Sequence, residues 1–262
     1  MGKIIGILSL KGGVGKTSVV AGLGQAISDF DKKVLLVDGN LSAPNLGMHL
    51  NVISPEITLH HALNREKNIT DTIHHLNNFD IIPGLMFNNK NINPFNVKKK
   101  LKILKRNYDI ILIDSSPSLG EEASAAMLAS DEIFIVTTPD YPTLSMTLKS
   151  IKIARDRGTS INGLILNKVY NKNFELSLDE IEKTSGVPVM AVIPHDINVL
   201  KALSEFQPST FYKPKSKGSK EFKKLAAVLI GEKENYSGLG RMLKPPKRQD
   251  INREIFYNRV FN

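Results

Sequence analysis

The chain has 262 residues, 41% hydrophobic and 23% charged, with a formal net charge of +9 and no cysteine. That length is enough to bury the core of one large or two small domains, and the missing thiols exclude a disulfide framework and an iron–sulfur cluster. The positive balance favours anionic partners such as nucleotide, nucleic acid or acidic lipid. No stretch approaches the ~18 apolar residues of a membrane span and no secretory pattern opens the chain, so a cytoplasmic protein is expected, with at most peripheral membrane contact.

The first element is KIIGIL, a short β-branched run that suits a strand buried on both faces. It leads into LSLKGGVGKTS and then a helix expected over Thr17 to Asp29. Strand, glycine loop and helix in that order are the context of a phosphate-binding loop. The N–H groups of Gly13, Val14, Gly15 and Lys16 are expected to point at phosphates, with Gly12 and Ser18 flanking them. Lys16 is expected to reach the outer phosphates and the Thr17 hydroxyl to ligate magnesium. Lys11 is left over, because the ordinary loop needs one lysine.

The second strand, KVLLVD, ends at Asp38 and runs on through Gly39 to Asn40. FDIIPG is a third, followed by a helix over Pro94 to Arg106, and DIILID is a fourth, ending at Asp114. Helices over Glu121 to Ala129 and Thr143 to Arg157 alternate with the strands EIFIVTT and INGLILN. Leu178 to Thr184, PVMAVIP, Ile197 to Ser204 and Lys217 to Ile230 complete the alternation. Continuous apolar strands separated by crossover helices imply a doubly wound, mostly parallel α/β sheet flanked by helices. Asp38 and Asp114 fall at strand C-termini, the edge at which such sheets hold ligands.

KGGVGKT resembles the deviant Walker A motif of the MinD/ParA family of P-loop ATPases, and the resemblance runs in order from residue 1 to about 231. It implies a P-loop ATPase domain over 1–231 that binds ATP and Mg2+ and forms a sandwich homodimer in the ATP state, with Lys11 reaching the partner's phosphates. It further implies Asp38 and Asp114 beside the metal, Asn167 on the adenine and the loop from Pro194 to Asp196 packed against the base. Such proteins act as spatial switches in cell division, chromosome partitioning or positioning of a cellular complex, and a regulatory or cargo protein stimulates hydrolysis. The chain departs from the family at Asn40, where the family has an aspartate that positions the attacking water, and at Ser116, where proline is usual. An amide accepts a hydrogen bond but cannot take a proton, so slowed hydrolysis is expected, and a slowly or non-hydrolysing scaffold is the alternative.

Residues 232–262 read as a basic tail with no strand, in which Pro245 and Pro246 bar a continuous helix. INREIFYNRVFN puts Ile251, Ile255, Phe256 and Val260 roughly on one side, a short interfacial anchor or a packing surface. VKKKLKILKR and KPKSKGSKEFKK are two basic clusters suited to nonspecific DNA contact. The six histidines complete no ligand spacing and read as surface residues.

Overall fold

The computed structural model describes residues 2–86, 92–232 and 245–262. Eight strands form one sheet: β1 (Lys3–Leu8), β2 (Val34–Gly39), β3 (His74–His75), β4 (Asp80–Ile82), β5 (Ile110–Ser115), β6 (Glu132–Thr137), β7 (Ser160–Val169) and β8 (Val189–Pro194). Their order is β3-β4-β2-β5-β1-β6-β7-β8, with every neighbouring pair parallel except β3 with β4. This is the expected doubly wound sheet. The seven expected strands are present, and the two-residue β3 is additional because its His-His pair carries no apolar run.

Alternation along β1 divides the core. Ile4 and Leu8 pack with Val97, Leu101 and Leu104 of α4 (Asn96–Leu104), Ala126 of α5 (Glu121–Ala129) and Ile151 of α6 (Tyr141–Asp156). Ile5 and Ile7 face the other way, toward Leu23 of α1 (Lys16–Ser28) and Phe222 and Leu225 of α10 (Lys217–Leu229). The two basic clusters, on α4 and around α10, therefore lie on opposite faces of the sheet and share no groove. Lys105, Lys223 and Lys224 are also paired, with Asp131, Asp29 and Asp250.

Five short or terminal elements escape a periodicity reading: α2 (Leu46–His49), α3 (Leu59–Leu63), a 3-10 turn (Ile69–Thr72), α9 (Ser209–Tyr212) and α11 (Arg248–Phe261). α7 (Leu178–Ser185) and α8 (Ile197–Ser204) fall where expected. α11 begins just after the two prolines, and residues 233–244 before it lie outside the described set. Its inward stripe is Gln249, Asn252, Arg253 and Phe256, of which only Phe256 is apolar. The expected apolar side of the tail is not one face: Phe256 is 3% exposed and points inward while Ile255 is 61% exposed.

The polar stripe has a structural reason. β8 ends the sheet, and an edge strand has unpaired backbone groups. The Val189 N–H donates to Glu182 Oε1 at 2.7 Å, and its carbonyl accepts from Asn252 Nδ2 at 2.8 Å. Arg253, 1% exposed, donates to the Met190 carbonyl at 2.7 Å and to Glu221 at 3.0 Å, and also pairs with Asp250. Side chains of α7, α10 and α11 thus occupy the place of a ninth strand. Breaking a buried pair from one side costs about 3–5 kcal/mol, so Arg253→Ala is expected to lower the melting temperature by about 10 °C. The double variant Arg253→Met, Glu221→Met leaves neither charge alone and should recover most of it in the same melts; equal melting of Arg253→Ala and the parent would dismiss this role.

One histidine departs from the surface reading. His60, 1% exposed, donates from Nε2 to the Leu41 carbonyl at 3.1 Å while its Nδ1 accepts from the Leu85 N–H at 3.0 Å. Burial lowers its pKa. It is a core strut between the segments after β2 and β4.

Candidate functional site

The loop between β1 and α1 has left-handed backbone at Gly13 (φ 77°) and Gly15 (φ 90°). Gly15 is the N-cap of α1 and supplies no side-chain cap, so the first N–H groups of the helix are left for an external acceptor. Gly12 and Gly13 are exposed and Val14 is buried, anchoring the loop. Lys16 is 7% exposed, and burial lowers its pKa while the charge of Asp114 acts the other way. Thr17 and Ser18 are half-buried on the first turn.

Asp38 and Asp114 are directly paired across β2 and β5, at 0% and 1% exposure. Asp38 accepts from the Leu46 N–H at 2.9 Å and the Asn40 N–H at 3.3 Å. Thr17 Oγ1 donates to Asp114 Oδ2 at 2.7 Å and lies 3.1 Å from Asn45 Oδ1. Asp114 Oδ1 is buried with no hydrogen-bond partner. Burial, and then the charge of Asp114, hold the Asp38 carboxyl well above its ordinary range. Burial pushes Asp114 up to about 6 against the Thr17 hydrogen bond and the charge of Lys16. Two buried carboxylates, an orphaned oxygen and a hydroxyl at a loop built for phosphate fit a small hard dication, with phosphate and water completing its shell.

That electrostatics sets a pH test. A raised folded pKa stabilises the ligand-free fold below the unfolded value near 4, and this stabilisation is lost as pH rises through about 6. A dication held between these groups would need the ionised form, so Mg2+-dependent ADP affinity is expected to fall about tenfold between pH 7 and 5. The melting shift given by Mg2+ and ADP should shrink as pH falls over that range, and Asp114→Asn should remove this pH dependence. A parent affinity flat with pH would reject the placement of the cation at Asp114.

Asn40 is 7% exposed, and its Nδ2 donates to the Ala43 carbonyl at 2.5 Å. Its amide thus closes the loop after β2 and leaves Oδ1 to accept. Ser42 of this loop bonds Glu122 of α5, whose other carboxylate oxygen is buried without a partner.

Lys11 reaches the start of α6, where its Nζ donates to Thr143 Oγ1 at 2.6 Å and to Asp140 Oδ1 at 3.3 Å. Although burial acts to raise it, hydrogen bonds from Thr138, Thr143 and Lys11 hold the Asp140 carboxyl below its ordinary range. Lys11, Thr138 and Asp140 edge an open cavity of about 310 Å³ that includes Gly12, Gly13, Lys168, Tyr170 and Phe174. Asn167 comes to the loop, with Nδ2 2.8 Å from the Val14 carbonyl and Oδ1 left to accept. Pro194 ends β8, and the Asp196 side chain caps α8 through the Asn198 N–H at 2.9 Å. Between them His195 stacks on Tyr170 at 4.4 Å. Asn45, Asp140, Thr143, Lys168 and Tyr170 went unmarked in the sequence, where each is a polar or aromatic residue beside a strand or helix end.

A family model described as an AAA domain matches residues 2–162. An uncharacterized ATP-binding protein of Methanocaldococcus jannaschii is 32% identical over 232 residues, spanning 87% of this chain and 88% of that one. The cell division ATPase MinD of Pyrococcus furiosus superposes with a TM-score of 0.83 at 38% identity, covering 86% of this chain and 97% of its own. The septum site-determining protein MinD of Pyrococcus horikoshii, complexed with Mg-ADP, superposes with the same score at 36% identity, over 87% and 96%.

Proposed function

Because the chain belongs to the MinD/ParA family of P-loop ATPases, we propose that it binds ATP with Mg2+, dimerises face to face in that state and works as a slow spatial switch in cell division, partitioning or the positioning of a complex. The observation that carries this reading is the divergence of the two lysines. Lys16 is buried at the helix start, whereas the ammonium of Lys11 is bonded to Asp140 and Thr143 at the start of α6. A cation that does not serve its own loop is available to a second copy's phosphates, where charge develops during phosphoryl transfer.

In this reading Gly12 to Ser18 surround the phosphates, Thr17, Asp38 and Asp114 hold Mg2+, and Asn167 with the Pro194 to Asp196 loop meets the base. The metal neutralises phosphate charge. Asn40 orients water through its free carbonyl oxygen without accepting the proton, which makes hydrolysis slow and the ATP state long-lived. The outer face of α8, with Ile197 and Leu200 at 57% and 58% exposure, offers apolar area beside the base loop for the second copy or a regulatory protein. Neither a membrane nor DNA is favoured by the docked α11 or the separated basic clusters.

Light scattering on size-exclusion fractions, with phosphate release measured on the same samples, tests the proposal. A dimer is expected with ATP and a monomer with ADP or no nucleotide; a mass indifferent to nucleotide overturns it. Asn40→Asp should raise turnover at least about tenfold by restoring a proton acceptor. Losing the tie to Ala43 should cost about 1 kcal/mol, or a few degrees of melting temperature. Unchanged turnover would place the slow step elsewhere. ATP-dependent dimers without measurable hydrolysis in either protein would favour the scaffold reading, for which Asn40 is the specific observation.

A further inference from the structure

β7 is interrupted where it passes the phosphate loop. Its pairing with β8 is lost after Leu166↔Val192 and resumes at Val169↔Pro194, leaving Asn167 and Lys168 between. Lys168 has φ 57°, a left-handed conformation unfavourable for a residue with a side chain. Strain of this kind persists only where the surroundings enforce it, and it concentrates at functional sites.

Both interrupted residues hold the loop from outside. Asn167 Nδ2 donates to the Val14 carbonyl at 2.8 Å and Lys168 Nζ donates to the Gly13 carbonyl at 2.7 Å. A Cβ on Gly15 would lie 2.5 Å from the Asn167 amide nitrogen and 3.9 Å from Lys168 Cε, so both side chains run close along the loop. A trans peptide is planar, with its C=O and N–H on opposite sides. Holding the Gly13 carbonyl outward therefore aims the Val14 N–H inward, and holding that of Val14 aims the N–H of Gly15.

We propose that Lys168 is a positioning residue for the nucleotide phosphates. Its ammonium clamps the Gly13 carbonyl, fixes the Val14 N–H on the phosphate and polarises that peptide into a stronger donor. The left-handed turn in β7 is what brings the ammonium back over the loop. The inference rests on the ATP-binding reading above and adds a residue that acts through the loop without touching the ligand.

The test is the affinity of wild type, Lys168→Met, Lys168→Arg and Lys168→Gly for ATP, ADP and AMP with Mg2+, at low and high salt. Lys168→Met should lose about tenfold or more for ATP and ADP and under about twofold for AMP, which lacks the outer phosphates. Lys168→Arg should recover most of the loss. The ratio should persist in about 0.5 M salt, because screening weakens long-range attraction and not a fixed peptide orientation. Lys168→Gly relieves the backbone strain, so it should melt no lower than wild type yet bind ATP as weakly as the methionine variant; this keeps the test valid if Lys168→Met fails to fold. Unchanged ATP affinity, equal loss for AMP, or a loss that vanishes at high salt would each overturn the clamp. A wild type that fails to bind ATP would instead remove the reading beneath it.

Discussion

Alanine at Lys11 is expected to lower ATP turnover by about 10³-fold or more while leaving the ATP affinity of the monomer within about twofold. The split follows from where the side chain sits. Lys11 spends its ammonium on Asp140 and Thr143, so a single copy loses no phosphate contact when it is removed. In a dimer it could exchange these contacts for the second copy's phosphates, and a cation delivered to a phosphoryl transition state is worth about 10³–10⁵ in rate. Its contact with Asp140 is 38% and 42% exposed on the two sides and worth at most about 1 kcal/mol, so it does not prevent transfer. Turnover at saturating ATP, equilibrium binding and light scattering on the same variant make the measurement. A Lys11→Ala protein that dimerises with ATP and turns over normally would end the assignment in trans.

Alanine at Lys16 has the opposite profile. Nucleotide affinity should fall about 10²–10³-fold, because the ammonium is buried at the helix start, where the proposed outer phosphates would meet it. The ligand-free protein should melt no lower than the parent, since burial already disfavours the charge of Lys16, as its lowered pKa records. Ligand binding at about one hundred times Kd stabilises a protein by about 2.7 kcal/mol, or roughly 5–10 °C for a chain of this size. That shift should be present in the parent and absent in Lys16→Ala. A normal shift in the variant would mean that the nucleotide sits elsewhere.

The two lysines, five residues apart and identical in type, show how legible the site was. Both belong to KGGVGKT, and the loop could be read because strand, glycines and helix are contiguous, each with its own local requirement on φ or periodicity. Asp38 and Asp114 were legible for the same reason, as acids at the ends of apolar strands. Lys168 was not, since nothing in LILNKVYN says that a residue near the end of a strand turns left-handed and bonds a carbonyl 155 positions earlier. His60 failed as a surface residue because its burial is set by backbone groups of Leu41 and Leu85, which periodicity does not bring together.

The tail shows the other limit. Its hydrophobic pattern is poor, and a reading based on apolar faces picks Ile251 and Ile255, which point outward. The face that docks is chosen by hydrogen bonding, because the edge of β8 needs donors that Asn252 and Arg253 supply.

By itself the sequence determined the alternation of buried strands and crossover helices, the phosphate loop, the two acids at strand ends and the absence of thiol chemistry, all properties of contiguous residues or of composition. Only the tertiary structure decided which way Lys11 points, what Asn40 bonds, that the basic clusters lie on opposite faces, that α11 seals an edge, and that Lys168 grips the loop. Each of these depends on groups far apart in the chain meeting at hydrogen-bond distance, and that meeting is fixed by sheet order and packing rather than by local propensity.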